Sequence, residues 1–177
     1  MQIYIASSWK NQHAVEMLTA LLREDGHQVH SFVEKAVSDE GRTNIKFDFE
    51  QWIYSSDGLD KFSYDTLKAT TSDLVIYIGP SGTDAWAEVG AAWGSGIRIL
   101  GLWAKGEPAG LMRHMVEWFI DHAALLVAVD ENNQKIHLTE KRKWSSRYLA
   151  RKNENTKTIY GNRRNLFPPW ATSEGDL

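Results

Sequence analysis

The sequence predicts an α/β domain built on a parallel sheet. Three observations predict it. Leu74 to Ile78 is an unbroken apolar run, as in a strand covered on both faces; strand-like and helix-like stretches alternate over residues 1–130; and glycine-containing breaks at 79–82 and 94–96 separate them. With 177 residues, 42% hydrophobic and 24% charged, one domain with an appended segment is expected, and most of it is folded.

Residues 2–6 are apolar and β-rich, then polar at Ser7-Ser8-Trp9, so a strand feeds a helix over 11–24. Ala14, Leu18, Leu21 and Leu22 share one face of that helix, and Gly26 is the left-handed residue beyond its end. Residues 27–32 return as a second strand. From 34 to 63 periodicity is lost among Asp, Gly, Ser and the aromatics Phe47, Phe49, Trp52, Tyr54 and Phe62, which predicts an irregular, partly helical excursion covering a site. A short helix over 64–71 leads into the strand at 73–78. A helix at 83–93, a strand at 97–103, a helix at 108–115, a strand at 116–120 and a helix at 122–129 follow. Domain 1–130 is then trailed by a basic extension, 131–177, in which Pro168-Pro169 ends any regular element.

There is no cysteine, which excludes disulfides, thiolate zinc sites, iron–sulfur ligation and thiol nucleophiles together. No basic-then-apolar leader opens the chain and no run nears the ~18 apolar residues of a membrane helix, so a cytoplasmic protein without a membrane partner is expected. Net charge is −3, yet residues 1–138 hold 11 Lys/Arg against 19 Asp/Glu, while 139–164 hold 9 against 2. That basic block, interleaved with Trp144, Tyr148 and Tyr160, makes nucleic acid a candidate partner through residues 139–164; docking on the acidic remainder of the chain is the plainer reading. His27 and His30 are spaced to opposite strand faces, and neither a metal site nor a cofactor is expected.

Ligands of an open parallel sheet sit at the carboxyl ends of strands where the strand order reverses, which singles out the loops after Ile5 and Ile78. The second, Gly79-Pro-Ser-Gly-Thr-Asp84, offers close backbone approach, a helix N-terminus and two hydroxyls for a sugar or an anion. It lacks a Walker ending, and no Gly-x-Gly-x-x-Gly follows the first strand, which counts against ATPase and ordinary dinucleotide readings. Glu88 lies among Ala85, Ala87, Val89, Ala91 and Ala92, where it either needs partners or faces solvent beside the helix dipole. Asp84, one turn earlier on that face, reads as a cap or first-turn acid, or as a like charge whose repulsion with Glu88 pushes one of the two pKa values upward. Asp65 reads as the cap of its own helix. Three carboxylates converging there would suit sugar chemistry, in which one attacks an anomeric carbon and another manages a proton.

The run Ser72-Asp73-Leu-Val-Ile-Tyr-Ile-Gly-Pro-Ser-Gly-Thr-Asp-Ala-Trp-Ala-Glu88-Val-Gly-Ala-Ala-Trp-Gly-Ser-Gly-Ile-Arg-Ile-Leu-Gly-Leu102 resembles the nucleoside 2-deoxyribosyltransferase-like family. Ile3-Tyr-Ile-Ala-Ser-Ser8, Gly26-His27 and Glu107-Pro-Ala-Gly-Leu-Met112 fit the same pattern. The resemblance implies a flavodoxin-like, Rossmann-like three-layer fold with a five-stranded parallel sheet in the order 2-1-3-4-5. It implies Glu88 as the nucleophile on C1′ of a nucleoside or nucleotide, with proton donation from Asp65 or Asp84. Tyr4, Ala6, Ser7, Ser8 and Trp9, together with Gly79, Ser81, Gly82 and Thr83, would line the substrate; Trp9, Trp52 and Trp86 are each candidates to stack on the base or to be core. Where many members have Ser or Asp six positions before the glutamate, this chain has Gly82. The expected activity is cleavage or transfer of an N-glycosidic bond in a homo-oligomer, a dimer or a multiple of one. A non-catalytic nucleotide-sensing module on the same fold is the alternative.

Overall fold

The computed structural model describes residues 1–34 and 49–161, with side chains beyond Lys143 described only at Ser146 and Arg147. Five parallel strands, β1 (Gln2–Ala6), β2 (Gln28–Ser31), β3 (Leu74–Ile78), β4 (Ile99–Leu102) and β5 (Glu117–Phe119), form one sheet in the order β2-β1-β3-β4-β5. The helices are α1 (Gln12–Glu24), α2 (Phe49–Ile53), α3 (Ser56–Thr71), α4 (Thr83–Gly94) and α5 (His122–Gly161), with 3-10 turns at Trp9–Asn11 and Leu111–Met115. The flavodoxin-like architecture follows. Among the described residues, no helix is long and apolar enough to cross a membrane.

Alternation along the strands sends side chains into two cores. Ile3, Ile5, Ile76 and Ile78 pack against Val15, Leu18 and Leu22 of α1 and Leu125 at the start of α5. Tyr4, Ala6, Val75 and Tyr77 face the other way, toward Ala69 of α3 and Ala85, Val89 and Ala92 of α4. Small residues on α4 let it lie close to the sheet. Burying two faces of a central strand explains why β3 carries no polar alternation.

The chain divides at Asp130 into two compact units, the second beginning at Glu131. Within the second unit α5 continues to Gly161, with Lys141, Arg142, Lys143 and Arg147 exposed. The side chains of Trp144, Tyr148 and Tyr160, and all of Arg163, Arg164, Pro168 and Pro169, lie outside the described residues.

Several expectations are corrected. The buried face of α1 is Val15, Leu18, Thr19 and Leu22, whereas Ala14 and Leu21 are exposed. The helix expected over 64–71 begins at Ser56, because the Ser55 hydroxyl caps it by accepting the Gly58 N–H at 3.2 Å. Asp65 is therefore mid-helix and is not a cap. The expected helix at 108–115 is only the turn Leu111–Met115, since Gly110 is fully extended (φ −171°) and interrupts it. The helix expected to stop at Val129 runs on. Of the excursion at 34–63, residues 35–48 lie outside the described residues, and the remainder is helical from Phe49.

Candidate active site

Strand order reverses between β1 and β3, so their two C-terminal loops flank the crevice of an open α/β sheet. The loops are tied together. Ser7 Oγ donates to the Ile78 carbonyl at 2.8 Å and stands 3.3 Å from Ser81 Oγ. Asn11 Nδ2 lies 3.1 Å from Ser7 Oγ, 3.1 Å from the Ile78 carbonyl and 3.0 Å from the Pro80 carbonyl. Its side chain thus leaves the start of α1 uncapped and clamps the β3 loop instead. At the far end of that loop Gly82 precedes α4 with no side-chain cap, leaving the first-turn N–H groups of the helix to a ligand or water.

An acid cluster, its phenol buried and its two carboxylates half-buried, sits behind these loops. Tyr4, with no exposed surface, comes from β1, Asp65 from α3 and Glu88 from α4. The Tyr4 hydroxyl and Glu88 Oε2 are both shut off from water, and neither makes a hydrogen bond of ordinary geometry to a described residue. Burial is the main cause that pushes the Glu88 carboxyl up to about 8; the Asp65 charge adds to it, Asp84 adds less, and Tyr4 and Lys61 oppose it. Burial, with the Glu88 and Asp65 carboxylates beside it, holds the Tyr4 phenol well above its ordinary range. At neutral pH both Glu88 and Tyr4 therefore carry protons.

Trp9 stands at the rim, half exposed, its ring edge-on to Phe32 at 4.9 Å. Lys61, one helical turn before Asp65, places its ammonium 5.8 Å over the Trp9 ring and donates to the Phe32 carbonyl at 3.3 Å. A cation is thereby held beside the acid cluster.

Of the residues expected at the site, Tyr4, Asp65 and Glu88 are brought together, and Ser7 meets Ser81. Asp84 is exposed in the first turn of α4, beside Gly82 and Thr83, which are also exposed. Ala6 is wholly buried in the core, so its side chain is closed to a ligand. Ser8 precedes the turn at Trp9–Asn11 with its hydroxyl buried and without a hydrogen bond to a described residue. Gly79 faces inward: a Cβ there would collide with Glu107 Oε2. Trp52 is half-buried on α2. Trp86 belongs to the interior, its Nε1 donating to Glu107 Oε1 at 3.1 Å and its ring 5.0 Å from Tyr77. Asn11, Lys61, Tyr77 and Glu107 were not legible as site residues; a lone Tyr in the aliphatic β3 run was the signal for the last two.

The sequence matches no protein-family model and no curated protein. Among solved structures, a 2-deoxyribosyltransferase from Bacillus psychrosaccharolyticus is similar at a TM-score of 0.54 and 22% identity, over 68% of this chain and 87% of that one. A CMP N-glycosidase from Clostridium botulinum aligns at 0.47 and 22% identity over 73% and 98%, and a conserved protein from Enterococcus faecalis at 0.43 and 18% over 64% and 70%. The first likeness is one of fold; the other two, at TM-scores under 0.5, add nothing to it.

Proposed function

We propose that this protein cleaves or transfers the N-glycosidic bond of a nucleoside or nucleotide, as a member of the nucleoside 2-deoxyribosyltransferase-like family, with Glu88 as nucleophile. The observation that carries the reading is the grouping of half-buried Glu88 and Asp65 with the buried Tyr4 at the β1/β3 switch point. Two carboxylates and a phenol there form an acid-base set with no obvious structural use. The shared fold with a 2-deoxyribosyltransferase supports it.

The chemistry is a double displacement. Glu88 attacks C1′ as a carboxylate, the C1′–N bond breaks, and its electron pair leaves on the base. Two neighbouring acids that repel each other share protons as a pair, so the proton Glu88 must lose is held by Asp65 for delivery to the departing base. Tyr4, kept neutral, donates toward whichever carboxylate is charged, and Lys61 lowers the cost of ionising Glu88. Water or a second base then resolves the glycosyl ester with retention, Asp65 receiving the proton back. Ser7, Ser81, Gly82 and Thr83 bind sugar hydroxyls or a 5′-phosphate, and Trp9 stacks on the base.

Incubating the protein with a panel of nucleosides and nucleotides, with and without a free acceptor base, tests this reading. Base release alone identifies a hydrolase and exchange alone a transferase. Tight binding without turnover would overturn catalysis in favour of a sensing module. The working unit is taken to be a homo-oligomer: Leu59, Phe62 and Leu67 on α3 and Trp93 on α4 are exposed apolar side chains that an oligomer would cover.

A further inference from the structure

Glu107 takes no part in this chemistry, yet it is only 7% exposed, and burying a carboxylate is costly unless its partners repay it. Both of its oxygens accept from the Tyr77 hydroxyl at 2.9 Å, and Oε1 also accepts from Trp86 Nε1 at 3.1 Å. Because the Tyr77 proton is committed to Glu107, the phenol oxygen has lone pairs to spare, and it accepts the Ser81 N–H at 3.2 Å. The backbone at Gly79 presses on the same carboxylate, close enough that any side chain there would collide with it. Arg113 holds Glu107 in turn by donating to its carbonyl. One buried carboxylate therefore reaches the ligand loop by one arm and α4 by the other.

We propose that Glu107 is a positioning residue that holds the Gly79–Gly82 loop through Tyr77 and the roll of α4 through Trp86, and so keeps the sugar-binding loop and Glu88 in register. The idea rests on the proposed N-glycosidic activity. Trp86 and Glu88 are two residues apart, about 200° around the helix, so anchoring Trp86 on one side of α4 fixes the direction in which Glu88 points on the other. Packing would hold these aromatics without a carboxylate: Trp118 lies 5.8 Å from Tyr77 and 6.4 Å from Trp86, ring to ring. What Glu107 adds is direction.

The two arms separate kinetically. Tyr77→Phe keeps the ring and removes the link to Ser81, so KM should rise about tenfold with kcat within about threefold, as for an interaction used equally in ground and transition states. Trp86→Phe removes the indole donor and should lower kcat about tenfold with KM little changed. Glu107→Leu should show both defects, and Glu107→Gln, whose carbonyl still accepts both donors, should recover most of each. If these variants lower Tm but leave kcat and KM per folded molecule at wild-type values, the proposal is overturned. Should Glu107→Leu not fold, the Tyr77 and Trp86 variants decide alone. Amide hydrogen exchange at Ser81 and Gly82 reads the loop without turnover: faster exchange there in Tyr77→Phe, with β3 unchanged, supports the role, and unchanged exchange overturns it. Wild-type protein that turns over no N-glycoside would defeat the proposed activity while the exchange measurement still judges Glu107.

Discussion

The phenol of Tyr4, buried without exposed surface in β1, faces the carboxylate of Glu88 on α4. A strand whose neighbours are Ile3 and Ile5 thus brings a proton donor to an acid that would otherwise sit among alanines. The pairing gives Glu88 a chemical setting in which its charge can be switched.

That setting predicts a pH profile. With one proton shared by Glu88 and Asp65, kcat/KM falls as pH rises through about 8, where the free protein loses that proton and Asp65 has none to deliver. Lys61→Met removes an attracting charge and should move the midpoint up by roughly half a unit or more; Asp65→Asn removes the proton carrier, so the fall through about 8 should disappear along with most of the rate. Initial rates across pH 5–10 (roughly the range needed to bracket both limbs) check this. A profile that rises through about 8 would mean that Glu88 attacks only from the fully ionised pair, with no proton delivered by Asp65.

The same carboxyl links pH to stability. Its pKa is raised on folding, from 4.5 to about 8, so the folded state binds the proton more tightly than the unfolded chain does. This contribution is complete below about 4.5 and is lost as pH rises to about 8. Glu88→Gln should abolish that part of the dependence, leaving the variant more stable than wild type at pH 9 by on the order of 2 kcal/mol, by denaturant titration. Equal stability at both ends of the range would show that Glu88 ionises freely.

Much of this was legible from residues. Leu74 to Ile78 announced a central strand, and Glu88 was conspicuous among small apolar neighbours. Asp65 was harder to place, because Leu59, Phe62 and Leu67 are exposed and the apolar periodicity of α3 does not mark its buried face. A helix whose hydrophobic residues point outward looks irregular in sequence. The role of Glu107 was hidden for another reason: the residue stood in the family pattern at 107–112, but it sits in a loop between Gly106 and Pro108, and only tertiary packing brings Tyr77 and Trp86 to it. Past Asp130 the apolar pattern of α5 fades, so its length could not be read from periodicity.

The exposed apolar side chains of α3 predict assembly. Light scattering at micromolar concentration should report a dimer or a multiple of it, against a chain mass of 20.1 kDa. Phe62→Glu should shift the population toward monomer, since a charge in a covered apolar contact is expensive. A wild-type protein that is monomeric throughout would contradict this.

The most direct test of the central claim is the mass of the protein after incubation with a 2′-fluorinated nucleoside, whose electron-withdrawing fluorine slows resolution of a glycosyl ester more than its formation. The account predicts one added sugar, mapping to the peptide that carries Glu88 and absent from Glu88→Gln, which should also lose at least ~10³ in rate, about 4 kcal/mol. An adduct on another residue, or undiminished turnover by Glu88→Gln, would contradict it.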